Sequence, residues 1–168
     1  MFYDAHDYFT VRPSGIPGAG EGLWAKCNVP KHALFRFGHS KPRVSDKCKQ
    51  RGFDVIQFYY DEESEPDTPC IYNGKLCKIG GVFVDERARR PRYVYAPRDQ
   101  PMMKANDLAW SPGTDGYTYM RRSERNKLEL ILAYEDGNVV GTYAMANRNI
   151  KANEEVGITY SYDYWTQP

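Results

Sequence analysis

A β-hairpin in the last third of the chain constrains the fold more than any other sequence feature. Apolar residues occupy every second position from Leu128 to Tyr134, the period that places them on one face of a strand. Asp136 and Gly137 then supply a two-residue turn, and residues 139–146 follow as the partner strand. The sequence therefore predicts an antiparallel hairpin in a β-rich fold.

Short β-prone runs separated by turn-forming residues extend this pattern along the chain. With 14 Gly, 11 Pro and 14 Tyr, the composition favours short strands and loops over long helices. Further strands are predicted at residues 8–12, 23–27, 34–37, 53–60, 79–85 and 156–159, and one short helical turn within 101–110. We predict a mostly β fold in one domain, residues 1–168, with an inserted irregular region at about 40–100.

Charge and cysteine usage exclude several classes of protein. The 23 basic and 22 acidic side chains give a net charge of +1, so the whole chain offers no electrostatic case for nucleic acid. The four cysteines form no C-x-x-C pair, and we predict no metal site. No apolar run approaches the 18 residues of a membrane span, and the first residues lack the features of a signal peptide. We expect an intracellular protein, nuclear or cytoplasmic, with reduced thiols.

Two charged stretches each allow two interpretations. Arginines interleave with tyrosines between Arg87 and Arg98, a pattern that suits either an exposed loop or a surface that grips phosphates and stacks bases. The neutral total charge favours the loop and makes nucleic acid an unlikely partner. Residues 61–67 are acidic, which predicts a solvated loop or, as the alternative, a docking site for a basic peptide.

The C-terminal stretch is dense in carboxylates and aromatic rings. Glu154 and Glu155 precede a short apolar run, after which Tyr160, Tyr162 and Tyr164 alternate with other residues. If the strand continues, alternation places the three phenol rings on one face. Such a face attracts ammonium or sulfonium groups by about 0.5–2 kcal/mol per ring. The alternative is an aromatic strand that packs on the core.

A glycine-rich loop lies between two predicted strands near the N-terminus. Gly15, Gly18, Gly20 and Gly22 do not match the dinucleotide-binding fingerprint, and no predicted helix follows them. The loop is either a tight connection or a place where the backbone approaches a ligand closely, because glycine has no Cβ.

Three separated stretches, in order, resemble the motifs of SET-domain protein lysine methyltransferases. Residues 18–26 resemble the family's opening glycine motif, residues 82–85 and 104–108 its second motif, and residues 150–160 its Glu-Glu-to-Tyr ending. The resemblance covers about residues 8–165 and is greatest to compact, zinc-free viral or bacterial SET proteins. It implies several small sheets with short helices and a knot-like threading of the C-terminal segment.

The resemblance also implies a function and a set of site residues. It implies transfer of a methyl group from S-adenosylmethionine to a lysine in a basic protein segment, with a histone tail as one candidate; the oligomeric state is not predicted. Tyr160 matches the catalytic tyrosine, and Tyr162 would flank the lysine channel. The implied cofactor-binding residues are Gly20, Glu21, Gly22, Leu23, Trp24, Asn106, Asp107 and Trp165.

This chain departs from the family pattern in its second motif. Asp107 and Leu108 stand where the family has histidine and serine, and Asn153 stands where it has glycine. The family histidine contributes mostly backbone contacts to the cofactor, so its replacement implies weaker cofactor binding. The alternative that these departures leave open is a catalytically degenerate SET- or PR-like domain that binds a protein partner.

Overall fold

The computed structural model of the chain confirms the mostly β class. It describes residues 2–41, 53–59, 68–72, 75–80, 91–97, 99–135, 138–160 and 162–166. The strands are β1 Phe2–Tyr3, β2 Phe9–Pro13, β3 Glu21–Ala25, β4 Leu34–Lys41, β5 Phe53–Tyr59, β6 Thr68–Tyr72, β7 Lys75–Gly80, β8 Pro91–Pro97, β9 Leu128–Glu135 and β10 Asn138–Ala146. The α-helices are α1 Ala5–Tyr8, α2 Gly116–Arg122 and α3 Tyr162–Thr166, and short 3₁₀ helices span Pro101–Lys104 and Ser123–Arg125.

The chain divides into two compact units. The first contains Met1–Phe35, Lys104–Glu129 and Ala144–Pro168, and the second contains Arg36–Met103 and Leu130–Tyr143. The prediction of a single domain with an insertion therefore stays a prediction. All of the proposed site residues belong to the first unit.

The first unit is built on an antiparallel hairpin of β2 and β3. The two strands pair from Phe9 opposite Ala25 to Pro13 opposite Glu21, and the glycine loop connects them. Fully buried apolar side chains such as Phe9, Leu23 and Phe35 fill the space beneath the hairpin. Burial of each such side chain contributes about 1.5–3 kcal/mol to the free energy of folding, so these few residues fix the hairpin in place.

Helix α2 is absent from the sequence predictions, which placed only a loop up to Gly116. Asp115 begins the helix, because its Oδ1 accepts a hydrogen bond of 2.8 Å from the Thr118 N–H. That backbone hydrogen bond is the main reason why the pKa of Asp115 lies below its ordinary value. The helix has only seven residues, too few for a clear apolar period, so the cap was its one sequence signal.

The described part of the second unit consists mainly of paired strands. Their order in the sheet is β5-β8-β4-β10-β9-β7-β6, with β4, β9 and β10 contributing residues 36–41, 130–135 and 138–143 to this unit. Strands β9 and β10 are neighbours, as the predicted hairpin requires, while its turn residues 136 and 137 lie outside the described residues. The pair of β6 and β7 is antiparallel, and β7 also pairs with β9.

Strand β8 corrects the expectation of an exposed loop in the arginine- and tyrosine-rich stretch. Residues 91–97 pair with β5 on one side and with β4 on the other, so this stretch is an internal strand. Its β-forming Tyr-Val-Tyr centre favours this outcome, and the two prolines stand at its ends. Residues 81–90 and Arg98 lie outside the described residues, as do the acidic residues 61–67.

Other strand predictions differ in their limits. Strands β4, β5, β9 and β10 cover the predicted positions closely, whereas β6 was not predicted. Strand β7, Lys75–Gly80, shares only residues 79 and 80 with the strand predicted at 79–85. Residues 81–85, of which 82–85 carried part of the resemblance, lie outside the described residues, so that part stays a prediction. Every helix in the described part of the chain falls short of the length and apolarity needed to span a membrane.

The prediction that the C-terminal tyrosines continue a strand is wrong. Residues Tyr162–Thr166 form helix α3. A helix brings residues three apart onto one face, and the rings of Tyr162 and Trp165 both contact Trp110. In a strand the side chains of residues 162 and 165 would point to opposite faces, so the shared contact with Trp110 favours the helix over the strand.

Candidate functional site

Residues 153–158 form the centre of the candidate site. The Asn153 N–H donates to Ala25 O at 2.8 Å, and the Val156 N–H donates to Leu23 O at 2.8 Å, which joins this segment to β3. The Ile158 N–H then donates to Asn106 O at 2.9 Å. The C-terminal segment therefore contacts both the glycine-loop strand and the second motif through main-chain hydrogen bonds.

Gly157 permits the closest approach in this segment. A Cβ built on it would lie 2.2 Å from Asn126 Oδ1 and 2.6 Å from Leu108 Cγ. Both distances are far below a van der Waals contact, so only glycine fits without displacement of its neighbours. The Leu128 N–H donates to Gly157 O at 3.2 Å, which brings the start of β9 to the other side of the segment.

The Glu155 carboxylate holds the glycine loop. Its Oε2 accepts a hydrogen bond of 2.7 Å from Ser14 Oγ, and its Oε1 accepts one of 2.7 Å from the Gly15 N–H. The loop turns through left-handed backbone at Gly18 and Gly20, with φ of +78° and +73°. Thus the second glutamate of the C-terminal motif fixes a loop at the opposite end of the chain.

The neighbouring Glu154 forms an ion pair instead. Lys127 Nζ lies 2.9 Å from Oε1 and 3.1 Å from Oε2, and the Lys151 N–H donates to Oε2 at 2.9 Å. Burial raises the pKa of Glu154, but the hydrogen bonds and positive charges of the two lysines outweigh it, so the pKa is lowered overall. Glu154 therefore anchors residues 151–154 to the start of β9.

Asp107 is the most constrained side chain of the site. It is 3% exposed, and among the described residues its carboxylate accepts five hydrogen bonds. Oδ1 accepts from the Ala109 N–H and from Asn126 Nδ2, at 3.0 and 2.8 Å. Oδ2 accepts from Tyr119 Oη, the Tyr160 N–H and Trp165 Nε1, at 2.5, 3.0 and 2.9 Å. We call these six residues the Asp107 cluster.

Asn126 is a site residue that the sequence analysis missed. It is 2% exposed, its Nδ2 donates to Asp107 Oδ1, and its Oδ1 accepts from the Leu108 N–H at 2.9 Å. Nδ2 also lies 3.1 Å from Thr159 Oγ1. Asn126 sits between Arg125 and Lys127 in a polar run, so no local pattern marked it as buried.

Tyr160 is held at both ends. Its backbone N–H donates to Asp107, and its hydroxyl donates to Ala105 O at 2.8 Å. Its ring lies nearly parallel to that of Trp165, with ring centres 5.5 Å apart. The predicted catalytic tyrosine is thus beside the second motif, although 53 residues separate it from Asp107 in sequence.

Trp165 and Tyr162 complete an aromatic cluster. The rings of Trp165 and Trp110 are stacked with centres 5.3 Å apart and an interplanar angle of 5°. Tyr162 meets Trp110 edge-on at 6.2 Å and is 37% exposed. This cluster differs from the strand face predicted for Tyr160, Tyr162 and Tyr164, because its stacked pair is Trp110 and Trp165 and its C-terminal members lie on a helix.

Asn106 joins the second motif to the glycine loop. Its Nδ2 donates to Glu21 O at 2.9 Å, and Lys104 Nζ lies 3.3 Å from the Glu21 carboxylate. The Asn106 side chain is therefore oriented by the strand that the resemblance assigns to cofactor binding. Gly22 is packed against Glu155, since a Cβ there would lie 2.6 Å from Oε2.

These residues fit the chemistry of S-adenosylmethionine. Trp24 Nε1 is buried and has no hydrogen-bond partner among the described residues, a state that costs about 1–3 kcal/mol unless a ligand accepts the bond. At Gly18 and Gly20 a Cβ would meet no atom within 4 Å, so the loop backbone is open to an approaching group. The rings of Tyr160, Tyr162, Trp110 and Trp165 suit a cationic sulfonium.

The structure thus brings together most of the residues predicted for the site. Glu21, Asn106, Asp107, Tyr160 and Trp165 are connected by direct contacts. Trp24 lies in β3, the same strand as Glu21, and the Arg12 guanidinium lies over its ring, 4.5 Å from the ring centre. Within the described ranges, no group of His, Cys, Asp or Glu side chains is placed to hold a metal ion.

Comparisons with known proteins show a likeness among solved structures but none among family models or curated proteins. Among solved structures, the chain is similar to a Plasmodium falciparum protein described as a candidate histone methyltransferase, with a TM-score of 0.42 and 10% sequence identity. That likeness covers 95% of this chain and 97% of the other.

Proposed function

We propose that this protein is an S-adenosylmethionine-dependent protein lysine N-methyltransferase of the SET type. One observation carries the proposal: the described parts of the three motif stretches that resemble the family are neighbours in space. Leu23 O accepts from the Val156 N–H, Asn106 O accepts from the Ile158 N–H, and Asn106 Nδ2 donates to Glu21 O. The knot-like threading of the C-terminal segment belongs to the same proposal and is supported by its contacts with residues 105–108 and 126–128.

The reaction requires a neutral lysine amine as the nucleophile. Deprotonation of a free lysine, with a pKa near 10.4, costs about 4.6 kcal/mol at pH 7, and desolvation lowers that cost because it disfavours the ammonium. The rings of Tyr160, Tyr162, Trp110 and Trp165 offer an apolar, water-excluding surface for this purpose. When bound, S-adenosylmethionine would supply an electrophilic methyl group on a sulfonium, with the neutral thioether as the leaving group.

Each site residue has a role in this proposal. Tyr160, whose hydroxyl is fixed on Ala105 O, presents that oxygen near the reacting atoms and orients the amine. Tyr162, partly exposed, borders the entrance for the lysine side chain. The backbone of Gly20, Glu21, Gly22, Leu23 and Trp24, together with Asn106, Asp107 and Trp165, surrounds the cofactor. The substrate is a lysine in a basic protein segment, such as a histone tail.

Cofactor binding is the first test. Calorimetric titration with S-adenosylmethionine should give saturable binding that Asn106→Ala weakens about 10-fold or more, because Asn106 orients the Glu21 backbone. Asn149→Ala is the matched control, since Asn149 also makes one hydrogen bond to the main chain, at Lys31 N, outside the site. Equal affinity of Asn106→Ala and the wild type would contradict the assigned cofactor site.

Methyl transfer is the second test. With a mixture of lysine-rich peptides and labelled cofactor, Tyr160→Phe should fold normally and lose at least about 10-fold in kcat, because it lacks only the oriented hydroxyl. Tyr117→Phe removes a hydroxyl from a tyrosine that is 72% exposed and should not change kcat. Full activity of Tyr160→Phe would remove the tyrosine from the mechanism.

A non-catalytic protein-binding module is the second candidate. Two observations favour it. Asp107 stands where the family has histidine, and its carboxylate is already engaged in hydrogen bonds within the protein. Helix α2 carries Tyr117 and Met120, whose side chains are 72% and 74% exposed. Exposed large apolar side chains on one helix suit a protein contact. Absence of S-adenosylmethionine binding up to about millimolar, a free energy of only about 4 kcal/mol, would support this candidate over the enzyme.

A further inference from the structure

Asp107 touches both the backbone and the ring environment of Tyr160. Oδ2 accepts from the Tyr160 N–H and from Trp165 Nε1, and the Trp165 ring stacks on the Tyr160 ring. We propose that Asp107 is a positioning residue that sets the orientation of Tyr160 for methyl transfer. This inference rests on the proposed function for the role of Tyr160. The hydrogen bonds by which Asp107 holds the Tyr160 backbone and the Trp165 indole, which we call the lock, can be tested without an activity measurement.

The donor set explains why a carboxylate occupies this position. An ionised carboxylate is an acceptor only and has about four lone-pair sites on two oxygens, whereas a neutral imidazole has a single acceptor nitrogen. The donors around Asp107 are neutral groups: two backbone N–H groups, a carboxamide, a phenol and an indole. A histidine at this position could not satisfy them, so the aspartate and its five donors match one another.

The donors come from separate parts of the first unit. Ala109 belongs to the turn after Asp107, Tyr119 to helix α2, Asn126 to the residues before β9, and Trp165 to helix α3. One buried side chain thus fixes α2 and α3 relative to Tyr160. A small movement of Oδ2 changes three contacts together, which is what a positioning residue requires.

Asp107→Asn is the direct test, because it keeps the shape and replaces one acceptor by an amide donor. In either orientation the new NH₂ group faces donors, since Oδ1 has two donors and Oδ2 has three among the described residues. We expect hydrogen exchange of the Tyr160 amide and the Trp165 indole, measured by NMR, to accelerate about 10-fold or more. We also expect kcat to fall about 10- to 100-fold, with the peptide KM within about 3-fold of wild type.

Asp115→Asn is the matched control. It makes the same substitution at an exposed helix cap, where asparagine caps as well as aspartate, so exchange at Tyr160 and kcat should not change. If Asp107→Asn left the Tyr160 amide and the Trp165 indole as protected as in the wild type, the proposal would be overturned. A rise in KM with unchanged kcat would also overturn it, because it would assign Asp107 to substrate binding.

Two further variants keep the test decisive if Asp107→Asn fails to fold. Tyr119→Phe removes one donor from Oδ2 and should accelerate exchange of the same two protons about 3-fold; unchanged exchange would contradict the lock. Asp107→Asn combined with Asn126→Asp again sets an amide opposite a carboxylate and should recover part of the lost protection. If the protein proves to have no transferase activity, only the proposed function fails, and the exchange measurements still decide the lock.

Discussion

Asp107 and Glu154 are two carboxylates of the same unit that are stabilised in opposite ways. Asp107 is 3% exposed and takes its hydrogen bonds from neutral groups; the ion pairs of the described residues do not include it. Glu154 has a side chain that is 34% exposed and pairs with Lys127 at 2.9 Å. Asp107 is held by neutral hydrogen-bond donors of fixed direction, whereas Glu154 is held by the flexible, positively charged side chain of Lys127.

The difference shows how a site can fix one segment firmly while another remains adjustable. Neutral donors on the main chain and on aromatic rings satisfy Asp107 only in one arrangement, so they specify position. A lysine chain can follow its partner through several rotamers, and solvent screens the pair, so it specifies little more than proximity. We therefore expect the Asp107 side of the site to respond to small changes and the Glu154 side to tolerate them.

The largest expected effect is that of Asp107→Ala. Removal of the carboxylate takes away the acceptor of the hydrogen bonds that Asn126, Tyr119 and Trp165 donate to it, and we expect the free energy of unfolding to fall by about 3 kcal/mol or more. Urea denaturation followed by circular dichroism measures this change. Asp7→Ala, which removes an exposed carboxylate, should leave the midpoint nearly unchanged; an equal loss in both variants would break the comparison.

Two glycines, Gly157 beside the Asp107 cluster and Gly22 beside Glu155, give the next test. Gly157→Ala would press a Cβ against Asn126 Oδ1 and Leu108, both part of the tightly packed side, and should cost about 2–3 kcal/mol. Gly22→Ala would meet the carboxylate of Glu155 at 2.6 Å, but that group ends a flexible side chain and can move, so about 1 kcal/mol is expected. Thermal unfolding of the two variants measures both losses of stability. A larger loss for Gly22→Ala than for Gly157→Ala would contradict the prediction.

The smallest effect belongs to Lys127→Met. Because the pair is partly exposed and screened by solvent, we expect a loss of only about 0.5–1 kcal/mol at pH 7. The folded-state pKa of Glu154 is lowered, so its contribution is present above its ordinary value of 4.5 and is lost as the pH falls through the folded pKa. The difference between wild type and Lys127→Met should therefore shrink below pH 4.5. If the stability difference between wild type and Lys127→Met grew on acidification, the ion pair of Lys127 and Glu154 would not be its source.

Much of the β framework could be predicted from local patterns. The alternating stripe in β9 and the partner strand β10 depend on neighbouring residues only, so their periodicity is visible in the sequence. The C-terminal tyrosines show the limit of that reasoning. They alternate as strand residues do, yet tertiary ring contacts with Trp110 favour a helix at Tyr162–Thr166.

The candidate site was predictable where the motif residues act through the backbone and not where side chains meet at long range. The knot-like threading that the resemblance implies would bring the stretches around Asn106 and Tyr160 together, and the Tyr160 hydroxyl does donate to Ala105 O. The main-chain bond from the Val156 N–H to Leu23 O was not predicted. The roles of Asn126 and Tyr119 depend on the buried carboxylate of Asp107, which sequence position alone assigned to cofactor contact. No local property of an asparagine or a tyrosine reveals such a partner.

The hold of Glu155 on the glycine loop also determines when the site can form during synthesis. Glu155 follows Ser14 by 141 residues, a distance that a ribosome covers in about 7–28 s. Throughout that interval the loop lacks the carboxylate that later fixes it, and contacts of such long sequence separation form slowly even in the finished chain. A nascent chain that has not reached residue 155 therefore has a glycine loop without the two hydrogen bonds that Glu155 later accepts from Ser14 and Gly15.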